Sequence, residues 1–493
     1  KLKKLNKKKT IFIIIISILI AIIAYLGSTI GTSKFVLIKK MIPKEIKHTL
    51  NKTIFVIPNL RKDINRNRSY MNVIDTRQRQ YANLQSKNGY LIEDLIIKDE
   101  IFVMGRRNPQ GTLNDSKNNI VSESEKNISN FNLKKFVFNA NLISGESNYL
   151  NDKYARTPGG YLAQDTDNVF ITSGKGTINF FKINEMQNNK INLNNLNSNL
   201  LSFFVNDENY FLNHEVGVRD VLIDDNYLYL SFNNKVRNDC YNIEIVKAKL
   251  NYTFLDFEKF YTYPECIEIS KVQKFFVNQS GGRLEKYKDN KILFSTGSMR
   301  AYYNDENAKK IVEQDKDSKF GKVISINIET GEDEIFTMGH RNPQGLLYDS
   351  TNDIVLETEH GPQGGDEINL LEMNKNYGWP ISSYGVHYDG KQRKNAPLHK
   401  SHSDYGFEEP LKYWTPGIGI SQLTKSIENG NEYLISSMKN RSIHILKINP
   451  KDKEINNYRI LHIGQRIRDI IAVKEKQIYI LFLEDPSRIV LLR

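Results

Sequence analysis

From about Ala155 to the C-terminus the chain is a succession of short runs rich in aromatic and β-branched residues, each closed by turn-forming residues. They include NVFITSGKGTINFF, YLYLSFNNKVRNDCYNIEIVKAKL, KILFSTGS, GKVISINIETGEDEIFTMG, RSIHILKINP and QIYILFLEDPSRIVLL. Side chains of this kind suit a pleated, half-buried surface, so the runs read as strands. Many short strands with such punctuation restrict the fold to a sandwich, a barrel or a propeller, and length then decides. About 360 residues are too many for one sandwich, but divided among six four-stranded units they leave roughly 60 each, which suits propeller blades with loops. The expected fold is an all-β, six-bladed β-propeller over 131–493.

The first residues read differently. KLKKLNKKK carries six of the positive charges behind the net +12, so the rest of the chain is only mildly basic. Charge that thinly spread excludes a nucleic-acid-binding stripe. Ile11–Leu26 then runs without a charge, with Ser17 as its polar residue. Extended to Ile30 it reaches about 20 residues, enough for a helix to span a bilayer. The apolar run is longer than a typical cleavable signal core, and only the weak LGSTIGTS follows, which favours an uncleaved signal anchor over residues 1–30. Lysines at that end place it in the cytoplasm, so the body is expected to be extracytoplasmic, on the periplasmic side of a bacterial inner membrane. Residues 31–130 are polar and irregular and read as a stalk or accessory segment. Two cysteines, Cys240 and Cys266, exclude a disulfide scaffold or a four-thiolate zinc site, leaving one bridge or two buried thiols.

One internal repeat stands out. Residues 99–125 (DEIFVMGRRNPQGTLNDSKNNIVSESE) match 333–359 (DEIFTMGHRNPQGLLYDSTNDIVLETE) at 19 of 27 positions without a gap. The copies part afterwards, the second continuing HGPQGGDEINLL and the first KNISNFNLKK. The first copy therefore reads as a duplicated strand, turn and strand without the loop that follows in the second, suited to a structural or interface role. A second anion site at Arg107, Asn108 and Gln110 is the functional alternative.

Three motifs carry chemistry within some 40 residues: GHRNPQGLLYD (Gly339 to Asp349), ETEHGPQGGDEINLL (Glu357 to Leu371) and NYGWP (Asn376 to Pro380). Arg341, Asn342 and Gln344 set a cation and two amides beside a Pro-Gln-Gly turn, which suits a planar ligand bearing carboxylates. HGPQGGDE joins Gly- and Pro-rich backbone to Asp366 and Glu367, an oxygen donor set appropriate to calcium rather than zinc. Solvated acidic turn residues are the plain alternative.

In order and wording these motifs resemble the soluble quinoprotein glucose/sorbosone dehydrogenase family, from about Thr157 to the C-terminus. The resemblance implies a six-bladed propeller that uses pyrroloquinoline quinone (PQQ) and calcium to oxidise aldose sugars. It places Arg341, Asn342 and Gln344 on the quinone-contacting motif. SMKNRSIHIL makes Lys439 the counterpart of a quinone-binding lysine, and QRIRDIIA makes Arg466 and Arg468 the pair that clamps the cofactor. Gly361 and Pro362 match backbone carbonyls that hold calcium at the quinone, while Asp366, Glu367 and Tyr377 match ligands of a second, structural calcium.

One departure bears on catalysis. The family's catalytic histidine opens an H-x-G-G-R motif, but the aligned segment here is QSGGRL, Gln279 to Leu284. A carboxamide is not a general base, and a positioned base typically contributes roughly 10² to 10⁴ in rate. Gly281, Gly282 and Arg283 keep the pattern, so Gln279 and Arg283 mark the catalytic position. His214, His360 and His387 are the replacement bases that motif proximity nominates. A second departure, at YWTPGIGISQL, alters the substrate side; Trp414 there reads either as a platform for a sugar ring or as a buried blade aromatic. Two functions follow: a membrane-anchored PQQ and calcium dehydrogenase acting on a sugar or alcohol and passing electrons to a quinone or other acceptor, or a non-catalytic propeller that binds cofactor, sugar or protein.

Overall fold

The computed structural model describes residues 119–128 and 131–137 and, apart from breaks at 175, 188–189, 204–216, 238, 273–275, 289, 301–310, 429 and 485–487, residues 160–492. The strands within them form six sheets. Blade 1 is built on Gly160–Gln164, Asn168–Ser173, Ile178–Lys182 and Asn194–Ser198, and blade 2 on Val218–Asp224, Tyr227–Arg237, Cys240–Lys249 and Glu258–Tyr261. Blade 3 uses Gly281–Tyr287, Lys291–Thr296, Lys322–Asn327 and Asp333–Met338; blade 4 uses Pro343–Asp349, Ile354–Glu359, Asp366–Leu371 and Lys412–Trp414. Blade 5 follows with Ile420–Lys425, Glu432–Ser437, Ser442–Asn449 and Glu454–His462.

Blade 6 closes the ring. Its inner strands Arg466–Val473, Ile478–Glu484 and Arg488–Leu492 come from the C-terminal end, and Phe131–Val137 and Asn119–Ile128 from far upstream pair onto them. The blade therefore begins before residue 130, where the polar segment was expected to end. In the duplicated segment, 120–125 is strand like its counterpart 354–359; residues 99–118, with Arg107, Asn108 and Gln110, lie outside the described residues. So do the apolar stretch Ile11–Leu26 and residues 31–118. Among the described residues no helix is long and apolar enough to cross a membrane.

The first strand of every blade packs against the first strands of both neighbours, so six inner strands line a central channel. Between blades, alternate side chains interdigitate, and every interface carries its own apolar cluster. Leu162, Ile171 and Phe181 meet Ile480, Phe482 and Ile489 between blades 1 and 6. Leu356 and Ile368 meet Ile420, Tyr433 and Ile435 between blades 4 and 5. The cluster between blades 3 and 4, with Tyr287, Phe336, Leu346, Val355 and Tyr377, is among the smaller ones. Cys240 and Cys266 form a disulfide, Cα to Cα 5.4 Å, that ties the third strand of blade 2 to the segment leaving it.

At the channel centre lies Arg283, from the inner strand of blade 3, with 2 % of its surface exposed. Its Nη1 bonds Asp220 Oδ1 of blade 2 at 3.0 Å and Asp469 Oδ1 of blade 6 at 3.2 Å. Its Nε donates to Gln344 O of blade 4 at 2.7 Å, and its guanidinium lies 5.1 Å from the Tyr161 ring of blade 1. The second oxygens of the two carboxylates accept from Leu284 N and Leu162 N. One side chain thus joins five blades. Removing one partner of a buried ion pair leaves charge uncompensated, so Arg283→Met is expected to lower the unfolding free energy by about 3–5 kcal/mol. The midpoint of chemical denaturation measures it; an unchanged midpoint would mean the triad contributes nothing to closure.

Candidate functional site

Residues singled out in the motifs gather at one end of the channel, where the inner strands begin. Val277–Gln279 is a short 3-10 turn ahead of the inner strand of blade 3, and Gly281 and Gly282 follow with φ of +67° and +114°. A Cβ at Gly282 would lie 2.2 Å from Arg219 Cβ, so glycine there is a packing requirement that explains the retained Gly-Gly-Arg pattern. Gln279 is buried; its Oε1 accepts from Ser298 Oγ at 3.5 Å, and Ser298 N donates to Arg341 O. The glutamine turn and the Arg-Asn-Pro-Gln turn are therefore held side by side.

A chain of polar contacts then runs round the rim. Gly281 N donates to Asn342 Oδ1 at 3.2 Å, and Gln344 Nε2 donates to the same oxygen at 3.1 Å. Arg468 Nη1 donates to Gln344 Oε1 at 3.4 Å, and its Nε donates to Glu484 Oε1 at 2.6 Å. Arg466 Nη2 reaches the other oxygen of Glu484 at 3.1 Å and also contacts Met438 Sδ, next to the exposed Lys439. Arg341 Nη1 donates to His360 O at 2.7 Å, and its guanidinium lies 5.3 Å from the Trp379 ring. The structure so brings Gln279, Arg341, Asn342, Gln344, Arg466 and Arg468 into one connected arrangement, with Lys439 beside it.

Arg283 belongs to this arrangement in another capacity. Sealed in the channel and donating to the backbone oxygens of Gln344 and, at 3.4 Å, Arg468, it braces the rim from below and does not reach a substrate. This corrects the expectation that placed it among the reacting groups.

The five residues expected to bind metal are divided by strand geometry. Gly361 and Pro362 sit in the loop at the rim, where a Cβ on Gly361 would lie 2.2 Å from the carbonyl oxygens of both Gly364 and Gly365. Asp366 and Glu367 are successive strand residues and face opposite sides of blade 4. The Asp366 carboxylate turns to blade 5 and accepts from Gly361 N, Gly419 N and Ile420 N. It organises the loop and is not brought to Glu367. Glu367 turns to the opposite side, 3.7 Å from His402 Nε2. The Tyr377 hydroxyl donates to Leu370 O and accepts from Glu372 N, so it is engaged within the blade.

Of the nominated bases, His214 lies outside the described residues. His360 bonds Ile420 O and His387 bonds Ala396 O through Nε2, and burial lowers the proton affinity of both rings. Trp414 is buried in the apolar cluster between blades 4 and 5 and donates to Tyr458 Oη, so it is a blade aromatic. Trp379 is the tryptophan at the rim. Residues missed in the sequence are Glu484, which bridges the arginine pair, and Glu359, whose Oε2 accepts from Arg341 N at 2.6 Å and shapes that turn. Glu359 lay inside a quoted motif; Glu484, in a plain strand run, gave no signal.

The family model described as Glucose / Sorbosone dehydrogenase matches residues 160–491. The aldose sugar dehydrogenase YliI of Escherichia coli is 31 % identical over 196 residues, 36 % of this chain and 52 % of that protein. Quinoprotein glucose dehydrogenase B of Acinetobacter calcoaceticus is 38 % identical over 78 residues, 14 % of this chain and 16 % of that one. The chain thus spans about half or less of the length of these relatives. The crystal structure of the soluble aldose sugar dehydrogenase from Escherichia coli in the apo form superposes with a TM-score of 0.53 at 21 % identity, over 69 % of this chain and 97 % of that one, a likeness of fold.

Burial alone would raise the Glu484 carboxyl, but the charges of Arg468 and then Arg466 outweigh it and hold it below its usual 4.5. A depressed carboxylate stabilises the fold above its unfolded pKa, and the contribution is lost as pH falls through the folded one. Glu484→Gln is therefore expected to cost about 1–3 kcal/mol near neutral pH. Because the wild-type contribution fades in acid, thermal unfolding of the two proteins should converge below the usual 4.5; a gap that does not depend on pH would contradict the pairing.

Proposed function

The chain belongs to the glucose/sorbosone dehydrogenase family, and on that premise we propose that it oxidises an aldose or related sugar alcohol group with PQQ and calcium. The observation that carries this reading is the excess of positive charge at the rim. Arg341, Arg466 and Arg468 gather there with Lys439 in the adjoining segment, and Glu484 bridges the last two arginines. Arg466 and Arg468 remain partly exposed, with 31 % and 17 % of their side chains open to a ligand. A planar group with three carboxylates fits such a set, since guanidinium forks pair with carboxylates in two-point contacts. The Gly361 loop suits calcium, because its backbone oxygens crowd a position that no side chain could enter and calcium takes oxygen donors.

When bound, the quinone accepts hydride and calcium polarises its carbonyl, chemistry that no side chain here supplies. The protein's own part is placement. Asn342 and Gln344 fix the turn that carries Arg341, and Arg283 fixes the backbone of Gln344 and Arg468. Gln279 takes no proton from the sugar hydroxyl; its carboxamide, anchored to Ser298, orients the hydroxyl by hydrogen bonding. Turnover then proceeds without the general-base contribution.

We place the activity outside the cytoplasm, with the chain held at a bacterial inner membrane by Ile11–Leu26 and the electrons passed to a quinone or other acceptor. The Cys240–Cys266 bridge supports an oxidising compartment.

The test is anaerobic absorbance spectroscopy of the full chain loaded with PQQ and calcium and mixed with a panel of aldoses. Reduction of the bound quinone by at least one sugar is expected. Gln279→His should then raise the rate by roughly 10² or more, while Lys439→Ala or Arg466→Ala should weaken PQQ binding about tenfold. Quinone that binds but stays oxidised with every sugar would favour the propeller that binds without turnover. Failure to bind would overturn the cofactor assignment.

A further inference from the structure

The interface between blades 3 and 4 holds a polar cluster that the quinone reading does not use. Strand alternation sets Val355, Glu357 and Glu359 on the face of blade 4 turned to blade 3, and Glu367, Asn369 and Leu371 on the facing strand of the same side. Val355 and Leu371 end in the apolar cluster of that interface, and beyond them the lining becomes acidic. His340, from the loop joining blades 3 and 4, enters the same space and stacks on the Tyr377 ring at 5.0 Å. His340 and Glu357 have no exposed surface, and Glu359 has 4 %.

Hydrogen bonding leaves this cluster incomplete. His340 Nε2 bonds Thr337 Oγ1 at 2.9 Å, but its Nδ1 has no hydrogen-bond partner and lies 3.5 Å from Glu359 Oε1 and 3.9 Å from Glu357 Oε2. Glu357 Oε1 is also unpartnered. Asn369 Nδ2 donates to Glu357 Oε2 at 3.0 Å and to Glu359 Oε1 at 3.4 Å, holding the two carboxylates towards one point. Two carboxylates sealed side by side are costly to bury without a compensating positive charge. The one imidazole there, His340, balances at most one of the two, and the Arg341 guanidinium is engaged with His360 O and lies against Trp379.

We propose that His340 Nδ1, Glu357 and Glu359 bind a divalent transition-metal ion, of the zinc or manganese class, that locks blade 3 to blade 4 beneath the Arg-Asn-Pro-Gln turn. Their ligand atoms lie within 4.8 Å of one another, a spacing that small side-chain movements close onto an ion. An imidazole nitrogen with two carboxylates suits zinc or manganese, whereas calcium prefers six to eight oxygens. Thr337 Oγ1 pairs with the far ring nitrogen, so Nδ1 is the nitrogen left to ligate, and Asn369 orients both carboxylates. Glu359 carries the ion's influence to the rim, because its Oε2 receives Arg341 N and Asn342 N. The site is separate from the Gly361–Pro362 loop and does not depend on the quinone reading.

The test uses the full chain, stripped with a strong chelator and reloaded with Zn²⁺, Mn²⁺ or Ca²⁺ alone, with metal content and thermal unfolding as readouts in the absence of PQQ. Zn²⁺ or Mn²⁺ is expected to be retained at one equivalent and to raise Tm by about 3 °C or more. Ca²⁺, which the Gly361 loop suits, should not fill this site, so the transition metal should stay bound in its presence. Glu357→Gln should retain no transition metal and show no metal-dependent rise while unfolding at or above the metal-free wild-type Tm. Retention of neither ion by wild type, displacement of the transition metal by Ca²⁺, or an undiminished effect in Glu357→Gln would each overturn the site. Should that variant fail to fold, the Mn²⁺-loaded wild type decides by pulsed electron paramagnetic resonance. Coupling to one imidazole nitrogen supports the site, and its absence overturns it.

Discussion

A single guanidinium, that of Arg283, holds together what the apolar interfaces only bring near. Hydrophobic packing between blades is pairwise and non-directional, so six interfaces can each be satisfied with the ring slightly open or sheared. The Arg283 contacts are directional and reach blades 1, 2, 4 and 6 from blade 3. Blade 5 is joined by shorter links: Thr358 Oγ1 donates to Ser421 O, and Ser421 Oγ donates to Ile467 O. Two carboxylates share the one guanidinium, and burial raises both above the ordinary range despite it. The channel floor is thus an electrostatic lock whose geometry is dictated by charge balance, and two of its donors end on the backbone of Gln344 and Arg468. The rim above inherits its register from that floor.

Strand alternation then divides the labour of blade 4. Asp366 and Glu367 adjoin in sequence, yet the pleat sends the first to blade 5, where it gathers three backbone N–H groups, and the second to blade 3, where carboxylates and imidazoles collect. One strand therefore builds the rim loop on one side and the buried polar cluster on the other. Glu359 joins the two, because it faces the cluster while accepting from the backbone of Arg341 and Asn342. Changes in the blade 3–4 interface have a direct route to the rim through that carboxylate.

Much of this was legible before the structure, and the unequal legibility has physical causes. Second strands, covered by neighbouring blades on both faces, give dense apolar runs such as QIYILFLE, which mark the blades. The closing strands NIVSESEKNI and FNLKKFV are interrupted by polar and charged residues, so the chain that completes blade 6 gave a faint signal even though its backbone pairs along its length with one bulge between Ser122 and Ser124. Site residues in compact motifs, Arg341, Asn342 and Gln344, were found because neighbours in sequence are neighbours at a turn. Glu484, Asp220 and Asp469 were not, since Glu484 meets the arginines only across a strand pair and the two aspartates act on Arg283 from other blades, pairings that a linear motif does not record. Arg283 was found for the wrong reason: its motif was recognisable, but its burial between two carboxylates was not. Asp366 and Glu367 were likewise grouped by adjacency, which the pleat reverses.

Binding and chemistry rest on different foundations in this fold, and that bears on the glutamine at position 279. The cations that suit the quinone come from the fourth, fifth and sixth blades and are braced by Glu484, Gln344 and Arg283. The position of the expected base is a single side chain on a short turn ahead of blade 3, fixed by Ser298 and by glycines whose backbone angles are required for packing. Exchange of that side chain leaves the turn and the cation set unaltered, because neither depends on what its tip can protonate. Loss of a base at such a position lowers rate while retaining affinity, whereas loss of Arg283 or Glu484 disturbs the geometry on which affinity depends. On the proposed function, the architecture therefore permits a bound cofactor with diminished turnover, the extent of which would be set by how well a carboxamide orients a hydroxyl it cannot deprotonate.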